Sequence, residues 1–125
     1  MSLEMYSEII LDHFKSPRNF GKLENPSSAA KDLNPACGDV IEISLNIGSS
    51  IIQDVKFEGQ GCAISQATAS MLTEFVKGKS IEDIEKLQPY DLFNLIGITL
   101  SPVRAKCALL SLNVLKTALS VYSSK

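Results

Sequence analysis

The spacing of apolar residues divides the chain into helical and extended segments. In the first segment, the 3.6-residue period of an amphipathic helix runs through Tyr6, Ile9, Ile10, His13 and Phe14. We therefore predict a helix over residues 3–15, ended by Pro17. Residues 16–36 contain three prolines and little periodicity, which predicts a long loop with a short edge strand over 29–32.

Strict alternation of apolar and polar residues next predicts a β-hairpin. One alternating segment covers residues 41–47, a Gly-Ser-Ser turn occupies 48–50, and a second segment covers 51–58. The apolar residues that we expect on the buried face are Ile41, Ile43, Leu45, Ile47, Val55 and Phe57. With the edge strand, the hairpin gives an antiparallel sheet of about three strands.

The helical period returns after the hairpin. An apolar stripe over 64–76 predicts a helix, with Gly78 placed just beyond its end. Short helices are predicted over 80–87 and 89–98, and a long C-terminal helix is predicted over 102–122. Because the strands come first and most helices later, the predicted fold class is α+β, with the helices packed against one face of a small sheet.

Length and composition place the chain in the globular class. It has 125 residues, of which 45% are hydrophobic and 21% charged, so we predict one domain over residues 1–125. The formal net charge of −2 disfavours a nucleic-acid partner, because proteins that bind phosphate backbones are usually basic. A membrane partner is also disfavoured, since the longest apolar stretch, 92–100, is far shorter than the ~20 residues of a membrane-spanning helix.

Charge near the N-terminus and cysteine usage bear on the compartment. Acidic residues stand at Glu4, Glu8 and Asp12, where an export signal would need positive charge, so we expect a cytoplasmic location. The cysteines are Cys37, Cys62 and Cys107. An odd number cannot close into a complete disulfide framework. In a reducing compartment, such thiols are buried small residues, metal ligands or reactive groups.

The residues around the cysteines favour a shared site. The cysteines are 25 and 45 residues apart, too far for the paired spacing of a zinc finger, so the fold must bring them together. Gly38 and Gly61 adjoin two of them and allow close approach of backbone or ligand. Cys62 precedes a predicted helix N-terminus, where exposed N–H groups favour a thiolate. Asp39, two residues after Cys37, would add a carboxylate, and three thiolates with one carboxylate suit zinc or iron–sulfur chemistry.

Plainer interpretations of the same residues stay open on this evidence. Free cysteines are often buried as small hydrophobic residues, and Cys107 lies on the apolar face of the last predicted helix. Asp39 also fits a turn. His13 is the single histidine, and on the apolar side of the first helix we expect it to pack or cap rather than to bind metal. A cysteine hydrolase is disfavoured, since it needs a histidine base beside the thiolate and no orienting residue is evident.

Four motifs follow one another along the chain. They are Ile9-Ile10-Leu11-Asp12-His13-Phe14 with Ser16-Pro17-Arg18-Asn19; Asn34-Pro35-Ala36-Cys37-Gly38-Asp39; Gly61-Cys62-Ala63-Ile64-Ser65; and Pro102-Val103-Arg104-Ala105-Lys106-Cys107. In this order they resemble the motifs of the U-type iron–sulfur cluster scaffold proteins, which comprise IscU, SufU and the N-terminal domain of NifU. The similarity runs nearly from end to end of the chain.

This resemblance implies a function and a set of site residues. Such proteins accept sulfur from a cysteine desulfurase and hold a transient [2Fe-2S] cluster for transfer to recipient iron–sulfur apoproteins. By motif, the ligands of the cluster or metal would be Cys37, Asp39, Cys62 and Cys107. We expect Cys37, in a glycine-adjacent loop, to be the sulfur acceptor. The family fold, a small antiparallel sheet with helices packed against it, agrees with the predicted order of elements.

Departures from the family pattern leave the metal open. Lys106 stands where IscU-type members carry histidine and SufU-type members lysine, yet the 45-residue separation of the last two cysteines is close to the IscU-type length. The alternatives are a sulfurtransferase that uses Zn²⁺ and an interaction module with purely structural zinc. We expect Lys106 to favour thiolates at the site rather than to bind metal. The segment 100–104 differs at two of five positions from the segment of IscU-type members that an Hsp70-type chaperone binds, so a chaperone partner stays open.

Overall fold

The computed structural model of the protein describes residues 8–35, 38–97 and 99–124. The elements in chain order are α1 (Glu8–Lys15), β1 (Ser28–Asn34), β2 (Asp39–Gly48), β3 (Ile51–Gln60), α2 (Ala63–Val76), α3 (Ile81–Glu85), α4 (Pro89–Ile96) and α5 (Pro102–Ser123). The predicted α+β class, with a three-stranded sheet and a long C-terminal helix, is confirmed. The part of the first predicted helix before Glu8 lies outside the described residues.

The sheet is antiparallel in the order β1-β2-β3, and its register aligns the predicted apolar residues on one face. Ile43 pairs with Phe57, and Leu45 pairs with Val55. All four side chains are almost completely buried, as the alternation predicted. Because the period of a strand is two, this register buries alternate residues from Ile41 to Leu45 and again at Val55 and Phe57. A register shift at Asn46/Ile47 interrupts the alternation, so Ile47 is only half-buried, against the prediction, and Ile52 is buried instead.

Strand β1 is longer than its sequence pattern predicted. It runs over seven residues rather than the four expected, and it pairs with β2 from Ser28 opposite Leu45 to Asn34 opposite Asp39. The extension at its start has a tertiary cause, since the buried Ser28 hydroxyl donates to the carbonyl oxygen of Ala118 in α5 at 2.6 Å. A contact between residues 90 positions apart leaves no trace in local periodicity.

Helix α2 lies at the centre of the fold. It packs against α1, α5 and the sheet, so it is buried on almost every side rather than along a single stripe. Its buried polar residues are Ser65, Gln66, Thr68, Ser70 and Thr73. Two of them connect α2 to the first part of the chain, since Ser70 contacts His13 and Arg18 and Thr73 accepts a hydrogen bond from Asn19.

Local capping residues set most helix ends close to the predicted positions. Gly78 has φ +88 and follows the C-cap residue of α2, as expected. The Ser80 hydroxyl accepts a hydrogen bond from the Asp83 N–H at 3.1 Å and opens α3. Helix α4 ends at Ile96 rather than near residue 98, because Gly97 caps it in the left-handed conformation. None of the described helices has both the length and the apolar character needed to cross a membrane.

Candidate metal centre

Three of the predicted ligands meet at one point in the structure. A carboxylate oxygen of Asp39 and the sulfur atoms of Cys62 and Cys107 all lie within 4.8 Å of one another. Asp39 begins β2, Cys62 is the N-cap of α2, and Cys107 lies in the second turn of α5. Three elements far apart in sequence therefore supply one small cluster of donor atoms.

Cys62 is held by the junction between β3 and α2. As the N-cap residue, it has an extended backbone, with φ −73° and ψ 163°, and its side chain makes no capping hydrogen bond. Its sulfur therefore lies at the N-terminal end of a helix of 14 residues without being bound to the N–H groups of that helix. The predicted position of Cys62, just ahead of a helix, is confirmed.

Asp39 is completely buried, so its carboxylate depends on partners within the protein. Its Oδ1 accepts a hydrogen bond from the Cys62 backbone N–H at 2.8 Å. Its Oδ2 accepts a hydrogen bond from the Cys62 thiol at 3.5 Å. The carboxylate is thus bound to both the backbone and the side chain of Cys62, which is more than a solvated turn residue would do.

The two described cysteines differ in access. Cys107 is 2% exposed and belongs to the apolar core, whereas Cys62 is half-buried. Cys107 is therefore buried among apolar residues, as the plainer interpretation predicted. It is also compatible with a ligand role, since the sulfur lies beside the other two donors.

The donor set fits zinc or iron in its chemistry and its dimensions. Zn–S bonds of about 2.3 Å and Zn–O bonds of about 2.0 Å make tetrahedral edges of roughly 3.5–3.8 Å. The observed spacing, within 4.8 Å, needs a small inward movement to reach those edges. Two soft thiol groups and one carboxylate match zinc or an iron–sulfur centre better than calcium or magnesium, which prefer oxygen ligands.

The fourth predicted ligand, Cys37, lies outside the described residues. Asn34 and Pro35 before it and Gly38 after it are described. Asn34 at the end of β1 pairs with Asp39 at the start of β2, and the Gly38 N–H donates to the Asn34 carbonyl oxygen at 2.8 Å. The segment that carries Cys37 therefore joins two paired strand ends, one of which begins with a residue of the site.

Lys106 is exposed on α5, one residue before Cys107. It lines a groove of about 240 Å³ between the end of β1 and α5, together with Asp32 and Asn34. The predicted influence of its ammonium group on the thiols remains a prediction.

His13 is placed elsewhere, in the contact between α1 and α2. Its Nδ1 lies 2.7 Å from the Ser70 hydroxyl oxygen, and its Nε2 lies 3.7 Å from the Glu74 carboxylate. Burial of the ring, followed by repulsion from Arg18, lowers the pKa of His13 below its usual value. The packing role predicted for this histidine is confirmed, and among the described residues it is not part of the ligand cluster.

Gly61 has a role beyond the one that its sequence position indicates. Its place beside Cys62 predicts a close approach by another group but does not identify that group. In the structure it is the Asp39 carboxylate, since a Cβ at position 61 would lie 2.7 Å from Asp39 Cγ and overlap Oδ1. Only the tertiary pairing of β2 with β3 brings these residues together.

Comparison with known proteins agrees with the geometry. Residues 5–125 match the model of the NifU-like N-terminal domain. The zinc-dependent sulfurtransferase SufU of Bacillus subtilis is 40% identical over 129 residues, covering 90% of this chain and 87% of that protein. The iron–sulfur cluster assembly scaffold protein IscU of Aquifex aeolicus is 42% identical over 127 residues, covering 100% of this chain and 80% of that protein.

A solved structure supports the same assignment. A protein of thermophilic Fervidobacterium islandicum AW-1, described as an iron–sulfur cluster assembly scaffold for the SUF system, superposes with a TM-score of 0.81 at 32% identity. The superposition covers 95% of this chain and 99% of that one. The family resemblance read from the four motifs is confirmed. The chain belongs to the NifU-like N-terminal domain family, together with relatives named IscU and SufU.

Proposed function

We propose that the protein is an iron–sulfur cluster assembly scaffold, with the cytoplasm as the expected compartment. It would accept sulfur from a cysteine desulfurase and hold a transient [2Fe-2S] cluster for transfer to recipient apoproteins. The observation that carries this proposal is the convergence of Asp39, Cys62 and Cys107 from three separate elements. The proposed ligand set is completed by Cys37, and the likeness to the Aquifex aeolicus scaffold IscU supports it.

The proposed sulfur transfer uses Cys37 as the nucleophile. Its thiolate attacks the terminal sulfur of a persulfide on the desulfurase, a bond forms between the two sulfur atoms, and the desulfurase leaves as a thiolate. Cys107 is packed in the core of α5, where a moving sulfur would disturb its neighbours, so we keep Cys37 as the expected acceptor. Mass spectrometry after incubation with a desulfurase and cysteine should therefore place added sulfur on Cys37. Added sulfur mainly on Cys107 would contradict this assignment.

Asp39 would act as the exchangeable ligand of the site. A carboxylate is a harder ligand than a thiolate and binds a soft centre less firmly. Loss of this ligand by Asp39→Ala should lengthen the lifetime of a bound cluster if the carboxylate promotes release. Asp32→Ala, which removes an exposed carboxylate from the neighbouring groove, is the matched control and should leave the lifetime unchanged. Equal lifetimes in Asp39→Ala and the parent would remove Asp39 from the mechanism.

A zinc-dependent sulfurtransferase is the second candidate. It is favoured by the relationship to SufU and by Lys106 at the position before the third cysteine. In that case Cys37 would leave the metal to receive sulfur, and Asp39→Ala should weaken zinc retention. A third candidate, an interaction module with structural zinc, predicts that no cysteine acquires sulfur.

Metal content and an absorption spectrum after anaerobic reconstitution with iron and sulfide separate these candidates. The scaffold predicts visible sulfide-to-iron bands and one cluster per site. Tightly held zinc that prevents cluster loading would favour the sulfurtransferase. Unchanged desulfurase activity in the presence of the protein, with no sulfur on any cysteine, would leave only the structural module.

A further inference from the structure

We propose that Gly61 is a positioning residue that sets the Asp39 carboxylate as a one-oxygen ligand of the metal site. This inference rests on the proposed function only in that the site binds a metal. In this arrangement Oδ1 is committed to the Cys62 N–H, and Oδ2 is the atom presented to the metal.

At Gly61, the space that a Cβ would occupy is taken by the Asp39 carboxylate. The other described glycines with positive φ have no neighbour this close. A Cβ at position 61 would overlap Asp39 Oδ1 and lie 2.7 Å from Cγ and 2.9 Å from Cα. Among the described glycines with positive φ, Gly38, Gly78 and Gly97 have no atom within 4 Å of that point. At those positions glycine is needed only for the backbone conformation, whereas Gly61 also leaves room for a buried carboxylate.

The two carboxylate oxygens have different partners. Oδ1 lies 2.8 Å from the Cys62 backbone nitrogen, which is hydrogen-bond distance for a charged acceptor. Oδ2 lies 3.5 Å from the Cys62 sulfur, on the side where the thiols converge. A metal bound between the sulfurs would therefore meet Oδ2, while Oδ1 keeps the carboxylate in place from outside the coordination shell.

A side chain at position 61 would act on the metal through Asp39. The Cβ would displace the carboxylate from the Cys62 N–H, and a displaced carboxylate cannot present Oδ2 at the same point. The φ of +139° adds a second cost for an L-residue, so a simple loss of stability does not by itself identify the cause. The test must separate the contact from the backbone strain.

Cobalt(II) binding provides that test, because the sulfur-to-cobalt charge-transfer bands report the thiolates, whereas the d–d bands respond to the whole ligand set. The variants are Gly61→Ala, Asp39→Ala and the double variant. The matched control is Gly21→Ala, because the φ of Gly21, +132°, is close to that of Gly61, and its Cβ would make only an ordinary contact, 3.7 Å from Lys56 Cδ. Loss of a group that orients a ligand usually weakens metal binding about 10- to 100-fold. We expect this loss in Gly61→Ala, with the sulfur-to-cobalt charge-transfer bands retained, and parent affinity in Gly21→Ala.

The double variant distinguishes positioning from general damage. If Gly61 acts through the carboxylate, Gly61→Ala should add little further loss in the Asp39→Ala background. An equal loss in both backgrounds, or parent affinity and spectrum in Gly61→Ala, would overturn the proposal.

A readout without metal keeps this inference separate from the proposed function. The Cys62 amide should be protected from hydrogen exchange in the apo-protein and lose that protection in both Asp39→Ala and Gly61→Ala. If the parent binds no cobalt or zinc, the proposed function fails. If the parent binds metal but Gly61→Ala keeps the Cys62 amide protected, the positioning role fails instead.

Discussion

Removal of the Ser70 hydroxyl is expected to destabilise the fold more than its size suggests. This hydroxyl lies in the contact between α1 and α2 and is completely buried. It accepts a hydrogen bond from the Arg18 backbone N–H at 2.8 Å and lies 2.7 Å from His13 Nδ1. Ser70→Ala therefore leaves two polar groups without this partner.

The expected magnitude follows from the desolvation of those groups. Each buried polar group that loses its partner costs about 1–3 kcal/mol, so with two such groups Ser70→Ala should lower the free energy of unfolding by roughly 2–6 kcal/mol. That is a large fraction of the about 5–15 kcal/mol that stabilises a typical domain.

Ser111→Ala is the matched control for this prediction. Ser111 is equally buried, but its hydroxyl donates at 3.2 Å to the Ala108 carbonyl oxygen of its own helix. That carbonyl lies inside α5, where the helix ladder supplies another partner, so its loss should cost less than about 1 kcal/mol. Urea denaturation of both variants gives the comparison. If the two free energies of unfolding fell within 1 kcal/mol of each other, the reasoning on Ser70 would be refuted.

Three further outcomes are expected. Burial lowers the pKa of His13, so below about pH 6.5 the unfolded chain binds more protons than the folded protein. The free energy of unfolding should therefore fall as the pH drops from 6.5 to the pKa of the folded state. His13→Asn should flatten this pH dependence, as measured by urea denaturation. Removal of bound metal should lower the melting temperature, by the equivalent of about 4 kcal/mol at a thousandfold excess over Kd. Circular dichroism should still show a folded apo-protein; an unfolded one would contradict the packing of the described core. Lys106→His should shift the cobalt spectrum towards nitrogen ligation, and an unchanged spectrum would place position 106 outside the site.

Local patterns in the sequence predicted the parts of the fold that depend on local physics. The alternation in β2 and β3 identified the buried faces, because a strand exposes every second residue to the same side. The serine at the start of α3 and the glycine after α2 marked helix ends through their caps. The candidate ligands Asp39, Cys62 and Cys107 were also identified from sequence, and their proximity is now a structural observation.

Features that depend on contacts between distant residues could not be predicted. The amphipathic period of α2 predicted one buried stripe, but the structure buries most of the helix. The period could not reveal this, because it carries no information about α1, which packs on the other side. The pair of His13 and Ser70 spans 57 positions, and the hydrogen bond from Cys62 to Asp39 spans 23. Gly61 was noticed as a neighbour of a cysteine, but its role follows only from the position of the carboxylate opposite it.

Helices α2 and α5 pack directly against each other, and this has a consequence for comparing members of the family. Cys62 precedes the first residue of α2, and Cys107 lies near the start of α5, so their separation in space is set by that packing. In the described part of the chain between Val76 and Pro102, the regular elements are the short helices α3 and α4. Insertions or deletions there can change the number of residues between the two thiols without moving either one. The number of residues between the cysteines therefore does not by itself report the distance between the two sulfur atoms.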